Sequence, residues 1–400
     1  MEPGLVLGGP PLLAAWGVQG DWAYRCIRAA AACGRPRVNR TGERPASLQL
    51  VRVEVPLRRV HRSALEVEAV RDVVLVGWER PDGVTGWGEC PTLGTDAYVT
   101  GSTSGAWDAL TTSIGPAVVE GRPIRETGPA AALGAVRDAR LDASLRSRGL
   151  SLAEHLGSVG RTVARTKVLA DVGADPAQLA ELARRAVAEG ARMIKVKIAP
   201  GDDLDRLHVV RGAVGDVPVA ADANGSYGSR AEVLALDGFG LAYLEQPFPA
   251  GFGWAELAEL QHGLVTPIAL DESLGSTADL RAAAAAGAIG VVSLKPARMG
   301  GIEEALTAGV AAGQLGLAAF VGGMLELAVG RAGAAALAAC GFCGLPTDLG
   351  PSQDYVAEDV AEDVVVDAHG DLVVPSGPGN GRAPLVERME RVCVDSLRLE

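Results

Sequence analysis

From about residue 163 the chain repeats one pattern, a short run rich in Val, Ile, Leu and Ala followed by an Ala-, Leu- and Arg-rich stretch of helical character. The runs are TKVLADV (166–172), RMIKVKI (192–198), VPVAADAN (217–224), LAYLEQP (241–247), TPIALDE (266–272), IGVVSLKP (289–296) and LAAFVGG (317–323), with a weaker eighth near 342–348. Strands joined by helical crossovers must pair in parallel, because only antiparallel neighbours can be joined by a tight turn. Seven or eight such units with near-continuous apolar strands favour a closed β/α barrel over an open doubly wound sheet. No GxGxxG follows the first strand, which counts against a dinucleotide fold.

The flanks are different. Residues 1–46 begin Gly- and Pro-rich and then carry six arginines from Arg25 to Arg44 against the single acid Glu43. They read as a basic, disordered tail or an over-extended start, and their apolar stretch LLAAWGV is a poor secretory signal. From 47 the alternating SLQLVRVEVPL and VRDVVLVGWE, a Pro-Asp-Gly turn and VTGWGEC predict strands, and 106–156 predict helices. Residues 47–162 are therefore expected to form an α+β domain, 163–349 the barrel, and 350–400 a segment returning to the first domain through a hairpin, VVVDAHGDLVVP, around His369 and Gly370.

Net charge is −12, which argues against a nucleic-acid surface. No window approaches eighteen uninterrupted apolar residues, so no membrane span is expected. The six cysteines are too scattered for a disulfide scaffold, and the lone Cys340-xx-Cys343 pair reads as structural, which makes a reducing, cytoplasmic setting the expectation. Oligomeric state is left open, a homo-oligomer included. Of 37 basic residues only four are lysine, at 167, 195, 197 and 295. Arginine serves wherever a fixed charge suffices, whereas lysine can lose its proton when crowded or desolvated, so the scarce lysines mark places where an amine must titrate.

The strand ends carry the chemistry. They hold Lys195 and Lys197, then Asp222 with Asn224, Glu245, Asp271 with Glu272, Lys295, and Gly322 with Gly323. The C-terminal strand ends of a barrel converge on one rim, where such enzymes keep their sites. Lys195 and Lys197, two apart on a strand, face the same side. Asp222, Glu245 and Asp271 come from successive strands, and three converging carboxylates repel one another unless a cation neutralises them. A hard divalent cation with oxygen ligands fits, Mg²⁺ foremost and Mn²⁺ as the alternative, and the absence of clustered His or Cys argues against zinc. Amines on both sides of such a cation suit removal of a proton from carbon next to a carboxylate, so the expected partner is a small-molecule carboxylate. Any one of these residues alone would read as a helix cap or a surface charge, as Lys167 does; together at one rim they read as a site.

KVK (195–197), DAN (222–224), EQP (245–247), DES (271–273) and KP (295–296) resemble the enolase superfamily in its muconate-lactonizing-enzyme-like branch. GGMLE (322–326), GRA (330–332) and VPSGPG (374–379) are similar to the o-succinylbenzoate synthase and N-succinylamino acid racemase group. The resemblance implies an α/β fold, a (β/α)7β TIM-like barrel with an α+β capping domain. It implies that Asp222, Glu245 and Asp271 bind Mg²⁺, that Lys197 is the base tuned by Lys195, and that Lys295 is the opposing lysine. Asn224 and Glu272 would stand behind them, and Gly322, Gly323, Met324 and Arg298 against the substrate. The implied activity is that of a carbon–oxygen lyase, dehydrating a succinyl-hydroxycyclohexadiene carboxylate through a metal-stabilised enediolate on the way to menaquinone. The alternative is an N-succinylamino acid racemase or related N-acyl amino acid or dipeptide epimerase, with Arg298 beside Lys295 in the racemase-like pattern. The chain departs from its relatives at Ala328, where they carry Gly, and in HRSALEVEAV (61–70), where Glu66 and Glu68 would oppose a dianion if they pointed inward. A lysine Schiff-base barrel and a non-catalytic barrel are the remaining classes, the first needing one desolvated Lys and no metal carboxylates.

Overall fold

The computed structural model describes residues 43–62, 67–95, 101–124, 128–170, 175–201 and 203–400. The tail through residue 42, Glu66 and the end of the first apolar run at 171–172 lie outside these.

The first unit is an antiparallel sheet of β1 (Ser47–Arg62), β2 (Val67–Glu79) and β3 (Thr85–Cys90). Its side chains alternate, as period 2 requires. Leu48, Leu50, Val74, Val76 and Trp78 pack with helix α1 (Thr103–Ala109) and helix α2 (Ala130–Ser147), while Val51, Val53, Val55, Val73 and Leu75 join the large apolar cluster that includes the second unit. Both faces are thus covered, which accounts for the unbroken apolar run VVLV in β2. Contact with α2 is backbone-close: a Cβ on Gly88 would lie 2.0 Å from the Ala135 carbonyl oxygen.

The second unit is a curled parallel sheet of seven strands in sequential order. After the short β4 (Thr162–Val163) come β5 (Thr166–Leu169), β6 (Met193–Lys197), β7 (Val219–Asp222), β8 (Leu244–Glu245), β9 (Ile268–Leu270), β10 (Val291–Leu294) and β11 (Ala318–Val321). All seven fall within the expected runs. Helices separate them, among them α3 (Pro176–Ala188), α4 (Asp203–Val214) and, after β11, α5 (Ala328–Ala338). The weak eighth run hydrogen-bonds at both edges of the sheet: Leu345 and Asp348 donate to the carbonyls of Ala319 and Val321, and Thr347 donates to Ala164 and accepts from Thr166.

Inside the sheet the first layer is apolar. Met193, Ala220, Tyr243, Ala269, Val291 and Phe320 form one buried cluster, with Tyr243 and Phe320 stacked at 5.2 Å. Small and large side chains alternate around it, as filling a narrow interior requires.

The tail end of the chain corrects one expectation. The 366–372 hairpin forms, but its strand β12 (Leu372–Val373) pairs with β4, just ahead of the parallel sheet. The strand that joins the first sheet is β13 (Cys393–Leu399), antiparallel to β1. Its CVDSLRL alternates weakly because it is an edge strand with mostly exposed side chains. Cys340 and Cys343 are free thiols. Among the described residues no helix is long and apolar enough to cross a membrane.

Two glycine substitutions should act in opposite directions. Gly88→Ala forces β3 off α2 and should cost about 1–3 kcal/mol. Gly212→Ala, inside α4 with nothing within 4 Å of the new methyl, should add about 0.5–1 kcal/mol. Thermal or urea unfolding of the two variants beside the parent checks both signs.

Candidate active site

The charged layer lies one step up each strand from the apolar one. Two residues beyond Met193, Ala220, Tyr243 and Ala269 on the same face come Lys195, Asp222, Glu245 and Asp271; beyond Val291 come Ser293 and then Lys295, and beyond Phe320 comes Gly322. Strand register aligns them, with Lys197 opposite Asp222 and Asp222 opposite Glu245. Lys195, Lys197, Asp222, Glu245, Asp271 and Lys295 are all buried.

Each carboxylate faces a cation. Lys197 Nζ donates to Asp222 Oδ2 at 2.8 Å and to Asn224 Oδ1 at 2.6 Å. Lys195 Nζ donates to Glu245 Oε2 at 2.6 Å and also to Asp348. Asp271 receives Lys295 Nζ at 2.7 Å on one oxygen and Arg298 on the other. Among the described residues no three carboxylates, imidazoles or thiols stand close enough to enclose a metal ion. In this structure each of the three strand-end carboxylates is paired with a lysine, because an unpaired buried charge costs several kcal/mol.

The three carboxylates nevertheless sense one another. Burial pushes Glu245 well above the usual carboxylate range, and Asp222 and Asp271 add to the push against the pull of Lys195. Against the same burial, Lys197 and Lys195 hold Asp222 low, and Arg298 and Lys295 hold Asp271 low. Burial also works against the charge on Lys195, but Asp348 and Glu245 outweigh it and keep that amine protonated. A set of hard oxygen donors, one of them short of positive charge, fits a divalent cation with oxygen ligands.

The turns that follow the strands are strained where they serve this layer. Among the described residues the three non-glycines at positive φ are Asn224 (43°), Gln246 (41°) and Leu325 (53°), each just past a strand end. Asn224 uses Oδ1 on Lys197 and Nδ2 on Glu272 Oε1 at 3.0 Å. Gln246 Oε1 accepts from the backbone of Asp271 and Ser273, and its Nε2 donates to Phe248 O and Ser273 Oγ, which locks β8 to the end of β9.

A cavity of about 160 Å³ opens above this layer, bordered by Lys195, Lys197, Asp222, Lys295, Gly323 and Met324. Glu245, Asp271, Asn224 and Glu272 lie behind that wall. Gly322 does not border the cavity; its missing side chain leaves room for Lys295, whose Cε would sit 2.8 Å from a Cβ there. Arg298, expected against the substrate, does not border the cavity: it is 3% exposed and bound to Asp271, the same carboxylate that holds Lys295. Lys167, read as solvated, borders the cavity and is only half-exposed.

Two participants escaped the sequence reading. Asp348 ends the weak eighth run, where no motif marked it. Arg71, fully buried in β2, spends its guanidinium on the carbonyls of Thr92, Met324 and Leu325 and on Glu68 at 3.0 Å, tying the first unit to the segment after β11. Glu68 does face the cavity, as its position allowed, with Arg71 balancing its charge. The mixed pattern of VEAVRD gives no hint that Arg71 is buried.

Residues 178–387 match the Enolase C-terminal domain-like family. The chain is 34% identical over 362 residues to an N-succinylamino acid racemase of Amycolatopsis sp., covering 87% of this chain and 97% of the relative. It is 33% identical over 326 residues to an o-succinylbenzoate synthase of Geobacillus kaustophilus, covering 78% and 86%. A solved member of the enolase superfamily from Listeria innocua superposes with a TM-score of 0.82 at 27% identity, covering 89% of this chain and 99% of that one. With this match, these relatives and a rim of paired lysines and carboxylates at the ends of successive parallel strands, the chain belongs to the enolase superfamily of enzymes.

Proposed function

We propose that the chain is an o-succinylbenzoate synthase, a dehydratase that removes water from a succinyl-hydroxycyclohexadiene carboxylate in menaquinone synthesis. The observation that carries the reading is the cavity wall: Lys197 on β6 and Lys295 just past β10 border one space with strand-end carboxylates between them. A carbon acid bound there has an amine on each face. Hydrogen bonds from the eighth segment to both edges of the sheet support a closed (β/α)7β barrel, with the β1–β3 unit as its cap and the chain's end rejoining it through β13. Residues 47–162, 163–349 and 350–400 are the corresponding divisions, and the cytoplasm is the proposed compartment.

Superfamily members typically use Mg²⁺, and Asp222, Glu245 and Asp271 are the residues that would hold it or Mn²⁺. The chemistry such a cation would supply there is neutralisation of negative charge on a bound carboxylate. Lys197 Nζ takes that proton, aimed by Asn224 and Asp222. Lys195 stays protonated between Glu245 and Asp348 and supplies fixed positive charge beside the base. Lys295, shared with Arg298 on Asp271, stabilises the intermediate from the opposite face. Loss of the proton and of the neighbouring hydroxyl together amounts to one water.

N-succinylamino acid racemase activity is the second reading, and one feature favours it. A racemase needs an acid and a base on opposite faces, and Lys197 and Lys295 provide both without rearrangement.

Exhaustive chelation should abolish turnover, and Mg²⁺ or Mn²⁺ should restore it. Full activity in protein verified to be free of metal overturns the cation assignment.

Lys197→Arg should lower turnover by roughly 10² to 10⁴ while sparing fold and divalent-cation binding, since arginine keeps the charge but cannot act as a base near neutral pH. Lys295→Arg should separate the reactions, retaining part of a dehydration that needs only a cation but abolishing racemisation. The measurements are o-succinylbenzoate formation by absorbance, and N-succinylamino acid racemisation by polarimetry with α-proton exchange in D₂O. Dehydration at the parental rate by Lys197→Arg refutes the base, and a parent active only in the racemase assay makes the second reading the function.

A further inference from the structure

All four lysines of the chain border the same cavity, and the mechanism uses three. The fourth, Lys167 on β5, is bound to Asp354 at 3.2 Å across the junction between the first strand of the parallel sheet and the turn after the eighth segment. The pair also borders an adjoining groove of about 400 Å³ that carries Arg58 and Arg59 of β1. The two spaces share Lys167, Val168, Ala170, Leu325, Asp354 and Tyr355, so Lys167 stands at their common mouth.

The other cations of the wall are buried and hydrogen-bonded within the fold. Lys195, Lys197 and Lys295 are held by the strand-end carboxylates. Arg331, 2% exposed, donates to Gly350 O and Glu326 O and lies 4.7 Å from the Tyr355 ring centre. Arg165, also buried, donates through Nε to Gly370 O. Lys167 differs: its side chain is 36% exposed, and its ammonium, with three donors, meets one carboxylate that is itself 31% exposed. Half-exposed pairs of this kind contribute little, about 0–1 kcal/mol, so exchanging the partner costs little.

On the proposed reading the substrate carries two carboxylates, one beside the reacting carbon and one at the end of its succinyl group. The second enters a confined space in a protein of net charge −12 and needs a cation away from the catalytic layer. We propose that Lys167 is the specificity-determining residue for this remote carboxylate, which displaces Asp354 from the ammonium on binding. The assignment rests on the reading of a succinylated substrate, and it gives the lone unused lysine a task for which its amine must be accessible rather than buried.

The test compares N-succinyl with N-acetyl derivatives of one amino acid, following α-proton exchange in D₂O, because the two differ in the second carboxylate. Lys167→Met should raise KM for the succinyl compound roughly 10- to 100-fold, the range of one charge-assisted hydrogen bond, with a much smaller fall in kcat and little change for the acetyl compound. Lys167→Arg should recover much of the affinity. Asp354→Asn, which removes the competing carboxylate, should lower the succinyl KM. An unaltered KM in Lys167→Met, an equal rise for both compounds, or the selective loss appearing in Arg59→Met instead overturns the role of Lys167 while leaving the functional reading in place. A parent protein that does not prefer the succinyl compound overturns the reading of a succinylated substrate and this assignment with it.

Discussion

The structure turns on charge balance in a confined layer. Three acids and three lysines are gathered at the strand ends above an apolar layer, and burying any of them alone would cost several kcal/mol. They are tolerated as a set, each carboxylate against an ammonium, with Arg298 and Asp348 completing the outermost pairs. Period 2 along the strands puts this layer directly on the Met193, Tyr243 and Phe320 layer, so its floor is buried and apolar. Lys195 lies 5.2 Å from the Phe320 ring centre, in contact with both levels.

Space is as constrained as charge. Gly322 is small because Lys295 must pass it, and Ala220 and Ala269 are small because large rings stand beside them. The first unit is positioned over the cavity by polar groups that cannot slide. Arg71 reaches main-chain carbonyls on both sides of the junction, and Glu89 of β3 accepts from Leu327 and Gly330 at the start of α5. Burial pushes Glu89 up to about 8, with Glu326 and Asp359 contributing and the two backbone donors pulling the other way. Apolar contact alone would permit small shifts between the units, whereas these directional bonds fix the height of the roof.

Much of this was legible because it follows from local rules. Strand runs, one-unit spacing of the acids and scarcity of lysine all sit in consecutive sequence, and the structure brings Lys195, Lys197, Asp222, Glu245, Asp271 and Lys295 to one rim. What was not legible depends on partners far apart in the chain. Arg298 reads as a substrate contact beside Lys295 until Asp271 is placed against it, 27 positions away. Arg71 meets carbonyls more than 250 residues distant, and Asp348 closes on Lys195 from 153 residues away. The hairpin misled for a related reason: its apolar alternation announces a strand but does not say which edge it will meet, and the edge it met was the two-residue β4.

Dehydration and racemisation begin with the same proton removal, so the charge layer alone does not choose between them. The surfaces that border the cavity outside the layer come from separate parts of the chain: the start of β2, the 323–325 segment, and the stretch from Gly350 to Tyr355. Their attachments differ in kind from those of the layer. Arg71 holds Met324 and Leu325 by main-chain oxygens, Arg58 reaches Val356 O, and Arg331 reaches Gly350 O. Bonds to the backbone are indifferent to the side chain carried there, so Leu325, Val356 and their neighbours can change identity without unpinning the loops that bear them. The layer has no such freedom, because replacing one of its charges strands another. A chain built this way holds its charge layer fixed while the side chains on the surrounding loops can change.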